Sequence, residues 1–107
     1  MTHDGLTRMS RIEIVAGGED VATVRDILTQ AGATGYTSVT GVSGLGHGGY
    51  HQGRLLFNER DGSSLLITVV PDDRAEAVVD GLRALFEDRP GVLFVSDTYV
   101  SRPEYFR

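Results

Sequence analysis

A chain of 107 residues, with 40% hydrophobic residues and a formal net charge of −5 at pH 7, is expected to form one domain around a single core. Because it contains neither cysteine nor lysine, disulfides, thiolate metal sites, cysteine nucleophiles, P-loop chemistry and Schiff-base catalysis are excluded. The negative charge disfavours nucleic-acid binding, and the absence of a long apolar run predicts a soluble, cytoplasmic protein without a signal peptide or a membrane-inserted segment.

The N-terminal third of the chain predicts a tail, a strand and a helix. Residues 1–8 are polar and without periodicity, so we predict a flexible tail followed by a single domain over 9–107. Polar and apolar residues alternate over 9–16, which predicts a half-buried strand. Two glycines and an acidic pair then favour a helix N-terminus, and apolar residues at helical spacing continue the helix to about residue 31.

A glycine-rich loop divides the next two strands. Tyr, Thr and Val predict a strand over 35–43, and the loop GVSGLGHGGYHQG over 41–53 contains six glycines. Glycine at this density loses much conformational entropy on ordering, so such a loop is either functional or disordered, and we favour a ligand-responsive loop. A short apolar run over 54–59 precedes Asp-Gly at 61–62, which is a hairpin signal, and SSLLITVV over 63–70 predicts a central strand.

The remaining elements complete a known order. After Pro71 a helix is predicted over 72–88, with Asp72 in a capping arrangement, and a last strand is predicted over 92–101. The order β-α-β-β-α-β defines a ferredoxin-like α+β fold, with an antiparallel four-stranded sheet and both helices on one face. Because both faces of the strand over 63–70 are partly apolar, we expect a homo-oligomer that covers the open face of the sheet.

Three local runs resemble segments of the PII signalling proteins. The run GYTSVTGVSGLG over 35–46 resembles the strand of these proteins that ends in Gly-x-Gly at the base of their T-loop. ITVVPDD over 67–73 looks like their third strand and the start of their second helix, and LFVSD over 93–97, followed by Arg102, is similar to their last strand. The resemblance covers about residues 11–102. It implies a non-enzymatic homotrimer that binds adenine nucleotide in clefts between its subunits.

The resemblance also implies which residues contact the ligands. The residues expected to contact the nucleotide lie in four places: the second strand, the base of a T-loop over about 44–62, the turn before the last strand, and the C-terminal segment. They are Thr37, Ser38, Gly44, Leu45, Gly46, His47, Arg89, Pro90, Gly91, Val92 and Arg102. Thr37 and Ser38 compete for the position of the family's adenine-contacting threonine. Loop amides and arginine suit an anion such as bicarbonate, for which the candidates are Gly46, His47, Gly48 and Arg54.

Departures from the usual PII pattern indicate a particular branch of the family. His47 and Gly48 replace an Arg-Gln pair whose glutamine is where other members hold magnesium and 2-oxoglutarate, and the lysine that pairs with 2-oxoglutarate is missing. A short glycine-rich loop without these residues looks most like the PII-like proteins associated with carboxysomes and bicarbonate transport. This branch implies ADP or AMP as the ligand, with ATP left open, and bicarbonate beside the nucleotide. It also implies control of an unidentified protein partner through the T-loop in inorganic-carbon metabolism, without a cofactor.

Two other functions stay open. The first is a slow nucleotide-hydrolysing enzyme, although the sequence contains no convincing nucleophile and base pair, and we predict no catalytic residues. The second is a metal-responsive trimer of similar fold. Its only support is the pair His47 and His51, whose spacing in a loop does not place both imidazoles on one helical face, and we predict no metal ligands.

Overall fold

The computed structural model describes residues 3–42 and 62–107 of the chain. The described segments contain four strands, which are β1 (Thr7–Gly17), β2 (Thr37–Thr40), β3 (Ser63–Val70) and β4 (Gly91–Val100). They also contain helices α1 (Val21–Gln30) and α2 (Asp72–Leu85), and short 3-10 turns over Gly18–Asp20 and Pro103–Tyr105. Neither of these helices combines the length and the apolar character that crossing a membrane requires.

The strands form one antiparallel sheet in the order β2-β3-β1-β4. β1 pairs with β3 on one side and with β4 on the other along most of its length, whereas β2 pairs with β3 through only four residues. The two interior strands, β1 and β3, are also the strands whose sequences show the clearest apolar patterns. The predicted ferredoxin-like α+β fold is confirmed.

The hydrophobic core lies between the sheet and the two helices. It consists of buried side chains from the interior strands and from one face of each helix, namely Ile12, Ile14, Ala16, Leu66, Val70, Val24, Leu28, Val78 and Leu82. The strand residues of this set lie at even positions, because successive side chains of a strand point to opposite faces. Full burial of one such side chain contributes about 1.5–3 kcal/mol, so the helix layer on β1 and β3 holds the fold together.

The opposite face of the sheet is apolar but uncovered in the single chain. We call it the open face, and it is defined by Val15, Val39, Leu65, Ile67, Val69, Val92 and Phe94. Phe94 is the most exposed of these side chains, with 56% of its surface accessible. Arg11 and Glu13 also lie on this face and form an ion pair of 2.7 Å. An apolar surface that extends over four strands is typical of a protein–protein contact.

Several boundaries differ from the predicted ones. β1 begins at Thr7, inside the predicted tail, because β4 provides pairing partners for Thr7 and for Arg8. β2 is shorter than predicted, since Gly41 has a φ of 76° and leaves the sheet. The apolar run over 54–59 lies outside the described residues. Of the predicted hairpin turn only Gly62 is described, and its φ of 69° is in the left-handed region that such a turn requires.

The predicted capping role of Asp72 is wrong. The N-cap of α2 is Pro71, and no side chain forms a capping hydrogen bond there. The Asp72 carboxylate instead accepts hydrogen bonds from Arg8 at 2.6 Å and from Ser10 at 3.0 Å, because the turn after β3 places the first residue of α2 beside the start of β1. Arg8 also lies 3.2 Å from Asp97, so one guanidinium joins β1, α2 and β4.

This ion pair predicts a specific loss of stability in acid. The hydrogen bond from Arg8, followed by that from Ser10, holds the pKa of Asp72 below its ordinary value. A carboxyl group whose pKa is lower in the folded chain stabilises the fold above its unfolded pKa of about 3.9, and this contribution is lost as the pH falls through the folded pKa. We expect Asp72→Asn to remove part of the loss of stability below about pH 4.

Urea unfolding of the wild type and the variant at about pH 3 and about pH 7 measures this effect. Asp73→Asn removes the same charge from the same helical turn, outside the Arg8 ion pair, and is the matched control. If Asp72→Asn and Asp73→Asn changed the pH dependence equally, the effect would belong to the helix terminus and not to the ion pair.

Candidate functional site

The predicted site residues that are described lie at opposite ends of the sheet. Gly91 pairs with Ala16 at one end, and Val100, just before Arg102, pairs with Thr7 at the other end. These pairs are nine residue steps apart along β4, which corresponds to roughly 30 Å in an antiparallel strand. Within one chain, the turn before β4 and the C-terminal segment are therefore too far apart to contact the same small ligand.

At the first end, the two ends of the segment over 43–61 are held together. The amides of Gly41 and Val42 donate to the carbonyl oxygen of Ser63 at 3.0 Å and 3.1 Å, and the Ser63 hydroxyl donates to the carbonyl oxygen of Val42. Ser63 is buried, so these bonds are shielded from water. The predicted ligand residues Gly44, Leu45, Gly46, His47, Gly48 and Arg54 lie outside the described residues.

Arg89 lies in the turn between α2 and β4, where it pairs with two carboxylates of its own chain. Its Nε donates to both carboxylate oxygens of Asp20 at 3.1 Å, and its Nη2 donates to Glu19 at 2.6 Å. The hydrogen bond to Asp20 is the main reason that the pKa of Arg89 is raised above its ordinary value. In the sequence, Glu19 and Asp20 indicate only a helix N-terminus, whereas the structure pairs both of them with Arg89.

The next residues of the turn are fixed by close packing. A Cβ atom added to Gly91 would lie 2.2 Å from Cε1 of Phe86, the residue that follows α2. Only glycine therefore fits at the start of β4. Arg83, Glu87, Val92 and Leu93 line a shallow cleft of about 320 Å³ around this contact. The turn before β4 thus holds its backbone groups and the Arg89 side chain at a defined position on the surface.

A second cleft, also of about 320 Å³, lies at the other end of the sheet. The C-terminal segment crosses the end of the sheet to reach the start of β2, where the Thr34 hydroxyl donates to the Tyr105 carbonyl oxygen at 3.0 Å. The cleft is lined by the chain before β2, by two open-face residues of β3 and by two C-terminal aromatic rings: Thr34, Gly35, Tyr36, Thr37, Ile67, Val69, Tyr105 and Phe106. Aromatic and apolar side chains with a few hydroxyl groups suit a planar heterocycle with polar edges.

Thr37 and Ser38, the two candidates for the adenine contact, lie on opposite faces of the sheet. Thr37 lines this second cleft and pairs with Ile67 of the open face. Ser38 pairs with Leu66, whose side chain belongs to the core on the opposite face, and it is not among the lining residues. Arg102 lies beside the cleft, where its guanidinium donates to the Tyr105 hydroxyl at 3.0 Å and lies 5.6 Å from the centre of the Tyr105 ring.

Metal binding has no visible site in the two described segments. Over residues 3–42 and 62–107, no group of three or more histidine, aspartate and glutamate side chains is arranged to hold an ion. His47 and His51, on which the metal hypothesis rests, lie outside the described residues.

Comparison with known proteins assigns the class of this domain. The family model described as Nitrogen regulatory protein P-II matches residues 9–105, which is most of the chain. The chain therefore belongs to the PII family of signalling proteins. The resemblance found in the sequence is confirmed. Comparison with curated proteins gives no match.

Solved structures of CPII, a nitrogen regulatory PII-like protein from Thiomonas intermedia K12, are similar to this chain over nearly all of its length. CPII bound to ADP, AMP and bicarbonate is 36% identical with a TM-score of 0.82, and the alignment covers 95% of this chain and 96% of CPII. CPII bound to ADP, AMP and acetate is 34% identical with a TM-score of 0.81, covering 95% and 97%. The apo form of CPII is 32% identical with a TM-score of 0.73, covering 89% and 94%.

Proposed function

We propose that this protein is a cytoplasmic, non-enzymatic regulator that binds ADP or AMP in clefts between the subunits of a homotrimer. The observation that carries the proposal is the similarity, over 95% of the chain, to CPII in complex with ADP, AMP and bicarbonate. Bicarbonate is the second ligand that we propose, which would connect the protein to inorganic-carbon metabolism. The segment over about 44–62 would then act as the T-loop that contacts a protein partner.

The geometry of the single chain supports a cleft between subunits. The turn that contains Gly91 and the segment that contains Arg102 are roughly 30 Å apart, so both contact one nucleotide only if they come from different chains. The open face supplies the apolar surface on which such chains would associate. The proposed cleft requires a trimer in which the first end of one chain lies near the second end of its neighbour.

The phosphates and bicarbonate would bind at the turn before β4 and at the loop. Backbone amides and arginine forks are the groups this lysine-free chain offers to anions. We retain Gly44, Leu45, Gly46 and His47 as candidate nucleotide contacts, and Gly46, His47, Gly48 and Arg54 as candidate bicarbonate contacts. Pro90, Gly91 and Val92 would contribute from the turn.

Ligand-dependent thermal stability tests the proposed function. A ligand that binds only the folded protein raises the free energy of unfolding by about 2.7 kcal/mol at a concentration of about 100 times its Kd. We expect ADP and AMP to raise the Tm, bicarbonate to increase the shift further, and GDP to have little effect because the base cleft would be specific. Equal shifts with ADP and GDP would contradict adenine recognition. Release of phosphate from ADP or ATP by the purified protein would favour the enzyme hypothesis instead.

The position of the adenine base gives a sharper prediction. We propose that Thr37, and not Ser38, donates or accepts the hydrogen bond to the base, because Thr37 lines the second cleft. Thr37→Val keeps the shape of the side chain and removes the hydroxyl, which should weaken ADP binding by about 1 kcal/mol, or roughly fivefold. Ser38→Ala removes a hydroxyl from the adjacent residue and should leave the Kd nearly unchanged. The reverse order of effects, measured by calorimetry, would assign the contact to Ser38.

A further inference from the structure

Asp20 is a nearly buried carboxylate for which the regulatory function gives no role. It has 8% of its surface exposed, although charged residues are rarely buried unless they are paired. Its partner is Arg89, which is 69 residues away in the sequence and reaches both of its carboxylate oxygens. Glu19, which is exposed, completes the pairing from the outer side. The position of Asp20 is therefore explained by Arg89 and not by the helix that follows it.

The same 3-10 turn also contacts the loop. The amide of Gly18 donates to the carbonyl oxygen of Gly62 at 3.2 Å, immediately before β3. The turn over Gly18–Asp20 is thus bonded on one side to the end of the loop segment and on the other side to the turn that begins β4. A change in the Asp20 pair would therefore alter the turn before β4 and could also displace the bond between Gly18 and Gly62.

We propose that Asp20 and Arg89 form a clamp that positions the turn over 89–92 for ligand binding, with Arg89 acting as a positioning residue and not as a phosphate ligand. The proposal rests on the proposed function and identifies how one of its binding elements is held. The Nε and Nη2 groups of Arg89 donate to carboxylates of its own chain, and the turn that Arg89 holds leads to Gly91, which packs against Phe86. The ligand contacts of this turn come from its backbone.

The two roles of Arg89 predict opposite effects of the variant Asp20→Asn. If Arg89 were a phosphate ligand, removal of the competing carboxylate charge would free its guanidinium and strengthen ADP binding. If Arg89 positions the turn through Asp20, the same variant loosens the turn and weakens ADP binding. Arg89→Ala weakens binding in both cases and does not discriminate between them.

Calorimetry with ADP on four variants tests the clamp. We expect Asp20→Asn and Arg89→Ala each to raise the Kd about tenfold, and the double variant to raise it no more than either one, because residues of one contact are not additive. Glu19→Gln is the matched control, since it changes the exposed partner only, and its Kd should stay within about twofold of the wild type. Unchanged or tighter binding by Asp20→Asn would overturn the proposal.

A second measurement decides the proposal independently of nucleotide binding. In the ligand-free protein, amide hydrogen exchange of Arg89, whose amide donates to the Leu85 carbonyl oxygen at 3.2 Å, and of whichever of Gly91 and Val92 bonds to β1 should become about tenfold faster in Asp20→Asn, while the amides of β1 and β3 in the core keep their protection. Unchanged exchange at these amides of the turn would overturn the clamp, as would equal acceleration throughout the sheet. If the wild type bound no nucleotide, the proposed function would fail, and the exchange result would still decide whether the clamp exists.

Discussion

Phe94→Asp is expected to convert the proposed homotrimer into single chains. Phe94 lies on the open face opposite Glu13 of β1, and it is 56% exposed in the isolated chain. A carboxylate at this position would be next to Glu13 and, in an oligomer that covers the open face, would lose its water, while Arg11 of this face is already paired with Glu13. Such an unpaired buried charge costs several kcal/mol, which is comparable with the free energy of a subunit contact.

Analytical ultracentrifugation measures this effect. In the single chain the new carboxylate stays in water, so the stability of the monomer should change by no more than about 0.5 kcal/mol. Ala22→Asp adds the same charge to an exposed position of α1, in the helix layer, and should leave the trimer intact. Because each proposed nucleotide cleft needs two chains, Phe94→Asp should also abolish ADP binding. A variant that stays trimeric would show that the open face is not the contact.

Gly91→Ala is expected to destabilise the chain more than a methyl group added to Gly81, where the shortest contact of the new Cβ would be 2.7 Å. The new Cβ would lie 2.2 Å from Phe86 Cε1, so either the half-buried ring or the paired backbone of β4 must shift. Overpacking of this kind costs about 1–3 kcal/mol, and more where the backbone must shift. Displacement of the turn before β4 should weaken ADP binding in addition.

Urea unfolding with two further variants isolates the cause. Gly35→Ala adds a methyl group where no atom lies within 4 Å, and it is the matched control, with an expected change of less than about 0.5 kcal/mol. Gly91→Ala combined with Phe86→Leu removes part of the ring and should recover part of the loss. If the double variant were no more stable than Gly91→Ala, the clash with Phe86 would not be the reason for the cost.

Local patterns predicted the fold because they carry most of the energy that determines it. The alternation in β1 and β3 and the apolar faces of α1 and α2 became the buried core, with Ile14, Leu66 and Leu82 fully covered. Pairs of residues that are far apart in the sequence explain the local prediction that was wrong. Asp72 has the sequence context of a cap, but the Arg8 guanidinium, 64 residues away in the sequence, competes for its carboxylate and prevails.

The candidate site was predictable only through the family resemblance. Composition indicated that an anion would be held by amides and arginine, and the motif comparison suggested which ones. Neither indicated that Arg89 is engaged by Asp20, because the two residues meet only after the sheet has brought the ends of β1 and β4 together. The choice between Thr37 and Ser38 also needed the sheet register, since a shift of one residue reverses the face to which a strand side chain points.

Calorimetric titration of ADP into the protein, with and without bicarbonate and in parallel with Phe94→Asp, tests the central claim most directly. We expect the wild type to bind about one ADP per chain, as a symmetric trimer with equivalent clefts requires, to bind it more tightly with bicarbonate, and to lose binding in the monomeric variant. Absence of heat from ADP and AMP at millimolar concentration, or undiminished binding by the monomeric variant, would contradict nucleotide recognition between subunits.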